Sequence, residues 1–412
     1  MLSKFFKSRA RIQTLQHGPA GSLLESFAGA LSEAGHATST ACRHLRAAEH
    51  FIYWTHRQGM PVCKWNEQSL RGFDRHLGRC HCPHYGSAAR LKVVRGARLF
   101  LTYLRDARII TLPSVEPPVQ EPALLSAFCQ WMRQQRGTSD VTLRTYSIYI
   151  RELLRRFGEK PSRFDARRVR TFVLAKSRSC GWGAVKNCAK ALRMFLRFLT
   201  AEGQCAVGLD AAIPTMAHWR LASLPRYLPP ENVERLIASC DRDSAVGRRD
   251  RAILLLLARL GLRAGDIVHL RLSDIYWKEA SIQLCGKGRR PTRLPLTQEV
   301  GQAILAYLQK GRPRTNADTL FIHCRAPYCA FGTPGAVSDI VGRAFRRAGV
   351  VRPRRGAAHL LRHSFATSML RQGASLEDIA AILRHRSIET TQIYAKVDIP
   401  SLRQIAQPWP EV

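Results

Sequence analysis

Two proline-rich stretches divide this chain, and proline cannot continue a helix because it lacks the amide donor and clashes with the preceding turn. The first, LPSVEPPVQEP at residues 112–122, reads as a short extended linker. The second, IPTMAHWRLASLPRYLPP at residues 213–230, mixes prolines with isolated apolar residues. Three segments result: 1–112, 113–212 and 213–412. Length agrees, because 412 residues are too many for one ordinary core and favour two or three domains.

The first two segments resemble each other in outline. Each opens with an amphipathic helix, LLESFAGALSEAG from Leu23 and LLSAFCQWMRQQRG from Leu124. Each continues with a Ser/Thr-rich start to a long basic helix, TSTACRHLRAAEHFIYWTHRQG and then TSDVTLRTYSIYIRELLRRFG. Each closes on an aromatic stripe at helical spacing: Phe100, Leu101, Tyr103 and Leu104, then Phe195, Leu196, Phe198 and Leu199. The pattern suggests an internal duplication of a helical bundle. Chance similarity between amphipathic basic helices is the competing explanation.

In the third segment, PPENVERLIAS has prolines before and acids in the first turn, the signature of a helix start. The apolar helix in RRDRAILLLLARLG ends at Gly261. The period then changes, and SDIYW, SIQLC and TRLPL predict a small antiparallel sheet. Helices return from Gly301. The fold class expected is mainly α, with helical bundles followed by a mixed α/β domain carrying that sheet.

Charge sets the partner class. The chain holds 65 Lys+Arg against 30 Asp+Glu, a formal net charge of +35. Such an excess repels itself in a compact fold unless a polyanion relieves it, and DNA or RNA is the polyanion expected. A basic ribosome- or membrane-associated protein is the plainer alternative. The longest aliphatic run, residues 253–257, is far below the ~20 residues a bilayer span needs, so no membrane partner is expected. The basic start, MLSKFFKSRARIQTLQ, lacks an apolar core and a small-residue cleavage site, so it is not read as a signal peptide. The 12 cysteines are scattered, so reduced thiols in a cytoplasm are expected.

Chemistry concentrates in the strings GLRAGDIVHL, GKGRRPTRLPL, HLLRHSFAT and LRHRSIETTQIYAKV. Arg263 follows the apolar helix at a buried end, with Asp266 placed to orient it. Lys287 sits between two glycines at a hairpin tip, where a phosphate can approach closely. His359 and Arg362 project from one helix face. His363 lies about 100° around that helix from Arg362 and is given no role in this set. His385 precedes Tyr394, with Thr390 and Thr391 marking a helix start ahead of the tyrosine. Each residue alone has an ordinary structural explanation: an ion pair, a solvated turn, a core tyrosine. A phenol of pKa ~10 is a poor nucleophile at neutral pH unless cations stabilise the phenolate and the charge developing on phosphate oxygens. Together the residues suit a metal-free in-line attack on a phosphodiester.

The joint pattern from about residue 225 to 396 resembles the tyrosine recombinase (phage integrase) family, with all its motifs in order. The resemblance implies that Tyr394 attacks the scissile phosphate and leaves a 3′-phosphotyrosyl link with a free 5′-hydroxyl. It implies that Arg263, Arg362 and His385 clamp the non-bridging oxygens. Lys287 protonates the leaving oxygen and His359 assists proton transfer. No cofactor is implied, since bond energy stays in the phosphotyrosine. The partners implied are double-stranded DNA recombination sites and a homo-tetramer in the synaptic complex, with other recombinases or accessory proteins as further candidates. Residues 113–212 resemble the family's helical core-binding domain, residues 213–412 its catalytic domain with a C-terminal tail, and residues 1–112 are an extra N-terminal helical domain. Localisation follows as bacterial cytoplasm, associated with the nucleoid, and the extra segment suggests a mobile element.

Departures from the family pattern are Arg384, where a glycine is usual, Leu360 directly after His359, and Asp266, where glutamate is frequent. A catalytically silent DNA-binding accessory protein and a type IB topoisomerase-like activity are the alternative functions. Cys80-His81-Cys82-Pro83-His84, with Cys63 upstream, has metal-ligand residue types. Its C-x-C spacing is tighter than that of common structural zinc sites, so a loop of buried thiols, with no metal, is expected. In the tail, Leu402, Ile405 and Trp409 are candidates for a contact with a neighbouring protomer or with their own domain.

Overall fold

The computed structural model describes residues 1–83, 85, 89–110, 121–215, 224–285, 291–352, 356–385 and 387–397. Most of the first proline-rich stretch and residues 216–223 of the second fall outside these residues, as do Lys287, His84 and the tail beyond 397. Two compact units form: residues 111–220, and residues 1–110 together with 221–412.

Residues 1–110 hold helices α1 (Arg9–Gln16), α2 (Gly21–Glu33), α3 (Thr38–Arg57), α4 (Glu67–Leu77) and α5 (Arg90–Asp106). α3 packs on α5 and α2 on α3. Phe27, Phe51, Phe73, Phe100 and Leu104 fill the core between them. Asn66 caps α4 by accepting from the Gln68 and Ser69 amides at 2.8 and 3.0 Å.

The 111–220 unit is a four-helix bundle of α6 (Ala123–Arg136), α7 (Asp140–Phe157), α8 (Ala166–Ser179) and α9 (Trp182–Ala201). Phe195, Leu196, Phe198 and Leu199 on α9 are all buried, so the aromatic stripe faces inward as its period requires. Arg144, Arg155, Arg156, Arg167 and Arg170 on α7 and α8 are exposed.

In residues 224–397, α10 (Pro230–Ala238) and α11 (Ala245–Arg259) lead to the short α12 (Ala264–His269). Strands β1 (Ile275–Tyr276), β2 (Ser281–Cys285) and β3 (Pro291–Pro295) form an antiparallel sheet in the order β1-β2-β3. Ile275 opposes Ile282 and Ile282 opposes Leu294, which places the apolar residues of all three strands on one face. Helices α13 (Gln298–Lys310), α14 (Pro334–Arg347), α15 (Ala357–Arg371) and α16 (Leu376–Leu383) complete the unit. α11 is the central element: residues 253–257 are all fully buried, and α10, α13, α14 and α15 pack around it. Helices return at Gln298 rather than at Gly301.

The mainly α fold with one small antiparallel sheet is the class the sequence predicts. Among the described residues, no helix is long and apolar enough to cross a membrane.

Candidate active site

α15 carries HLLRHSFAT and joins two cores. Ala358 and Leu361 pack into the cluster around α11, while Ala366 and Leu370 pack with Ile379, Leu383 and Tyr394. His359, Arg362 and His363 lie on the turns between these anchors, so packing at both ends fixes their positions.

Arg362 is 2% exposed and ties three segments together. Its two terminal nitrogens donate to the carbonyls of Gly261 and Leu383. Gly261 turns the chain out of α11 at φ +58°, and a Cβ there would meet Phe365 at 2.6 Å and Leu383 at 2.7 Å. Only glycine combines that left-handed backbone with so close an approach. Two residues on, the Arg263 guanidinium donates to the Arg384 carbonyl at 3.1 Å. Residues 261–263, 362 and 383–385 therefore converge through charged donors on backbone carbonyls. Burial, then the neighbouring Arg263, pulls the Arg362 pKa down to about 10. Burial also lowers that of Arg263. Arg362 still carries its charge at neutral pH.

Asp266 does not orient the Arg263 side chain, as the sequence suggests it should. Its carboxylate accepts from the Arg263 backbone amide at 2.9 Å, capping α12, and forms an ion pair with Arg384. Arg384 adopts φ +52°, the left-handed cap of α16, which explains why glycine suits this place. Its guanidinium turns inward to Asp266, with side-chain exposures of 8% and 10% for the pair. Among the described residues, Asp266 is the acid of this site and it is engaged by Arg384. The Arg263 and Arg362 guanidinia thus keep their charge with carbonyls, not carboxylates, on them.

Tyr394 is 2% exposed, and its hydroxyl lies 2.8 Å from His363 Nδ1. Burial raises its pKa to about 12, against the opposing pull of Arg362. The His359 and His363 rings meet edge to face at 4.3 Å. Burial first, then the charges of His359 and Arg362, holds His363 down to about 4. His385 Nδ1 lies 2.8 Å from the buried Thr391 hydroxyl, and burial with Arg362 and Arg263 lowers it to about 4. His359 is exposed, yet the surrounding protein and then Arg362 and Arg263 pull it below the usual imidazole value. In the free protein the three imidazoles are neutral and the phenol is protonated at pH 7.

The structure thus brings together Arg263, His359, Arg362, His385 and Tyr394 and adds His363, which the sequence reading set aside. The signal was available: His363 is four residues from His359, only about 40° around the helix from it. Comparing it with Arg362 hid that relation. Lys287 lies outside the described residues, in the β2–β3 connection. The helix expected to start at Thr390–Thr391 is a 3₁₀ helix, Gln392–Val397, which carries Tyr394 and follows a 3₁₀ turn at Ile388–Thr390. Of the cysteine motif, Cys80 and Cys82 approach His50 and His76, while Cys63 is exposed and apart from them.

Residues 226–399 match the phage integrase family. A protein of Sinorhizobium fredii (strain NBRC 101917 / NGR234) with an integrase/recombinase name, y4rA, is 35% identical over 400 residues, 95% of each chain. The chain belongs to the tyrosine recombinase (phage integrase) family. It is a tyrosine-type site-specific recombinase. The tyrosine recombinase XerC of Thermodesulfovibrio yellowstonii is 28% identical over 291 residues, covering 68% of this recombinase and 94% of that protein. Solved structures share the fold. The XerH recombinase in a post-cleavage complex with palindromic difH matches at TM-score 0.56 and 19% identity, over 83% of this chain and 95% of that one. A lambda integrase dimer bound to a core site matches at TM-score 0.52 and 17% identity, over 70% and 98%.

Proposed function

We propose that this recombinase cleaves and rejoins double-stranded DNA through a 3′-phosphotyrosyl intermediate on Tyr394. The observation that carries the reading is the tyrosine hydroxyl on an imidazole, beside a buried and a half-buried arginine with which, among the described residues, no carboxylate forms an ion pair. Such a pocket lacks an anion, and a phosphodiester supplies one. Arg263, Arg362 and His385 hold the non-bridging oxygens. Their negative charge raises the pKa of the nearby imidazoles. As the Tyr394 oxygen bonds to phosphorus, its proton passes to His363 Nδ1, with His359 packed against that ring. The bond to the 5′-oxygen breaks, and Lys287 protonates the leaving group. Attack by a second strand's 5′-hydroxyl reverses these steps on a new partner. This assignment makes His363 the immediate proton acceptor and His359 its neighbour.

The DNA-binding surface proposed includes the exposed arginines of α7 and α8, with residues 113–212 as the core-binding domain and 213–412 as the catalytic domain. Residues 1–112 form a third domain that duplicates the bundle, a reading supported by matching aromatic contacts. Phe27 meets Phe100 and Tyr103 at 5.1 and 5.4 Å. Phe128 meets Phe195 and Phe198 at 5.6 and 5.8 Å. In both, one aromatic of the first amphipathic helix touches residues three apart on the last. The working form proposed is a tetramer on two recombination sites, in a bacterial cytoplasm and encoded by a mobile element.

A nicked suicide substrate built from the DNA flanking the gene tests the chemistry. Wild type is expected to form a covalent protein–DNA adduct, and Tyr394→Phe none. Failure of wild type on its genuine site sinks the enzymatic reading and leaves a DNA-binding accessory protein. Relaxation of supercoils without exchange between two sites selects the topoisomerase-like alternative.

A further inference from the structure

We propose that residues 1–110 contain a structural zinc site built by His50, His76, Cys80 and Cys82. One imidazole nitrogen or sulfur from each lies within 4.8 Å of all the others. Cys80 Sγ is 3.4 Å from His50 Nε2, and Cys82 Sγ is 3.4 Å from His76 Nε2. A tetrahedral zinc with Zn–S ~2.3 Å and Zn–N ~2.0–2.1 Å separates its ligand atoms by about 3.3–3.8 Å. Two separations already fall in that range, and small side-chain rotations bring in the rest.

The ligands come from three places: α3 supplies His50, the last turn of α4 supplies His76, and the connection to α5 supplies both cysteines. Packing fixes the ring planes. His50 is buried, stacked on Tyr85 at 4.1 Å and set edge-on to Phe73 at 5.1 Å. His76 stacks on Trp54 at 5.9 Å. The tight C-x-C spacing, which counts against a metal on sequence grounds, has a structural use. It lets the Cys82 amide donate to Cys80 Sγ at 3.4 Å, a bond that favours the thiolate.

Chemistry selects the metal. Two sulfurs and two imidazoles are the donor set of a closed zinc site, with no position left for a substrate. Binding one Zn²⁺ releases two thiol protons, so the assembled group is neutral and adds nothing to a chain already at +35. The metal pins the α4–α5 connection to α3, joining residues 26 apart in sequence between His50 and His76.

The test uses the full chain, expressed without a polyhistidine tag. Elemental analysis is expected to find one zinc per chain. Cys80→Ser, Cys82→Ser and His76→Asn should each reduce it at least fivefold, while Cys63→Ser and His81→Asn retain it. Because a ligand variant can fail to fold, wild type is also stripped with a chelator and refilled with Co²⁺. Thiolate charge-transfer and tetrahedral ligand-field absorption are expected, reversed by excess zinc. Zinc near zero with no such cobalt spectrum overturns the site. So does full zinc retention in the Cys80→Ser/Cys82→Ser double variant.

Discussion

The cluster proposed as catalytic and the His–Cys cluster are both groups of polar side chains brought inside a helical fold, and they are opposite in kind. Around Arg362 the groups pointing inward are proton donors, satisfied by carbonyls and left with positive charge. Around His50 they are electron-pair donors facing one another, held by aromatic walls. The first arrangement wants an anion. The second wants a small cation and closes over it. The sign of the unsatisfied charge, more than the residue types, separates a reaction site from a structural one.

The sharpest way to break the comparison is at the nucleophile. Tyr394→Phe should abolish the covalent adduct, a loss of at least ~10³-fold, at a stability cost of about 1 kcal/mol for one buried hydrogen bond. Adduct gels and denaturant unfolding on the same preparation check both halves. A large stability loss with residual adduct would instead make Tyr394 a core residue.

Next comes the arginine that ties the segments together. Arg362→Ala leaves the buried Gly261 and Leu383 carbonyls without their donors, and should destabilise by about 3 kcal/mol as well as lowering cleavage by ~10²–10³-fold. Arg362→Lys keeps the charge but not the fork, and should recover less than half of the stability. Equal stability of wild type and Arg362→Ala would show that the carbonyl contacts hold nothing together.

The Asp266–Arg384 pair offers a smaller effect. Arg384→Gly relieves the left-handed backbone, worth about 1 kcal/mol, yet leaves Asp266 buried without its cation, so the net change should be destabilising. Combining it with Asp266→Asn should restore part of the loss, with a coupling of at least about 1 kcal/mol in a double-mutant cycle. Additive effects would show the pair to be incidental.

The last effect appears only on acidification. His363 and His385 are held at about 4 in the folded chain, below the ordinary value near 6.5. Between these values the unfolded chain binds more protons, so stability rises with pH there. The contribution is complete above pH ~6.5 and is lost as pH falls toward 4. Thermal melts across that window should show the loss, and His363→Gln should remove only its own share, because His385, His44 and His50 are also held at about 4.

Much of this was legible along the chain. SIQLC is β2 to the residue, and the buried helix α11, which ends at Arg259, was visible in RRDRAILLLLARLG. Arg263, Arg362, His385 and Tyr394 were singled out by the order and spacing of short motifs, which a linear string records. His363 needed only a comparison with His359. The ion pair of Asp266 and Arg384 spans 118 residues, and local periodicity carries no trace of it. The same holds for His50 and His76, which sit in ordinary amphipathic helices and gain meaning only where α3 passes α4.

By itself, then, the sequence determined the helical character, the small sheet and the polyanion partner implied by +35 charges, and it named the residues proposed to react. These depend on local periodicity, on composition and on short-range spacing, which a linear string records. Tertiary structure alone decided which groups touch. It put His363 rather than His359 against the tyrosine, turned Arg384 inward onto Asp266, and placed two histidines beside two cysteines. Those outcomes depend on how helices distant in sequence pack, and on burial that changes what each charge or lone pair needs.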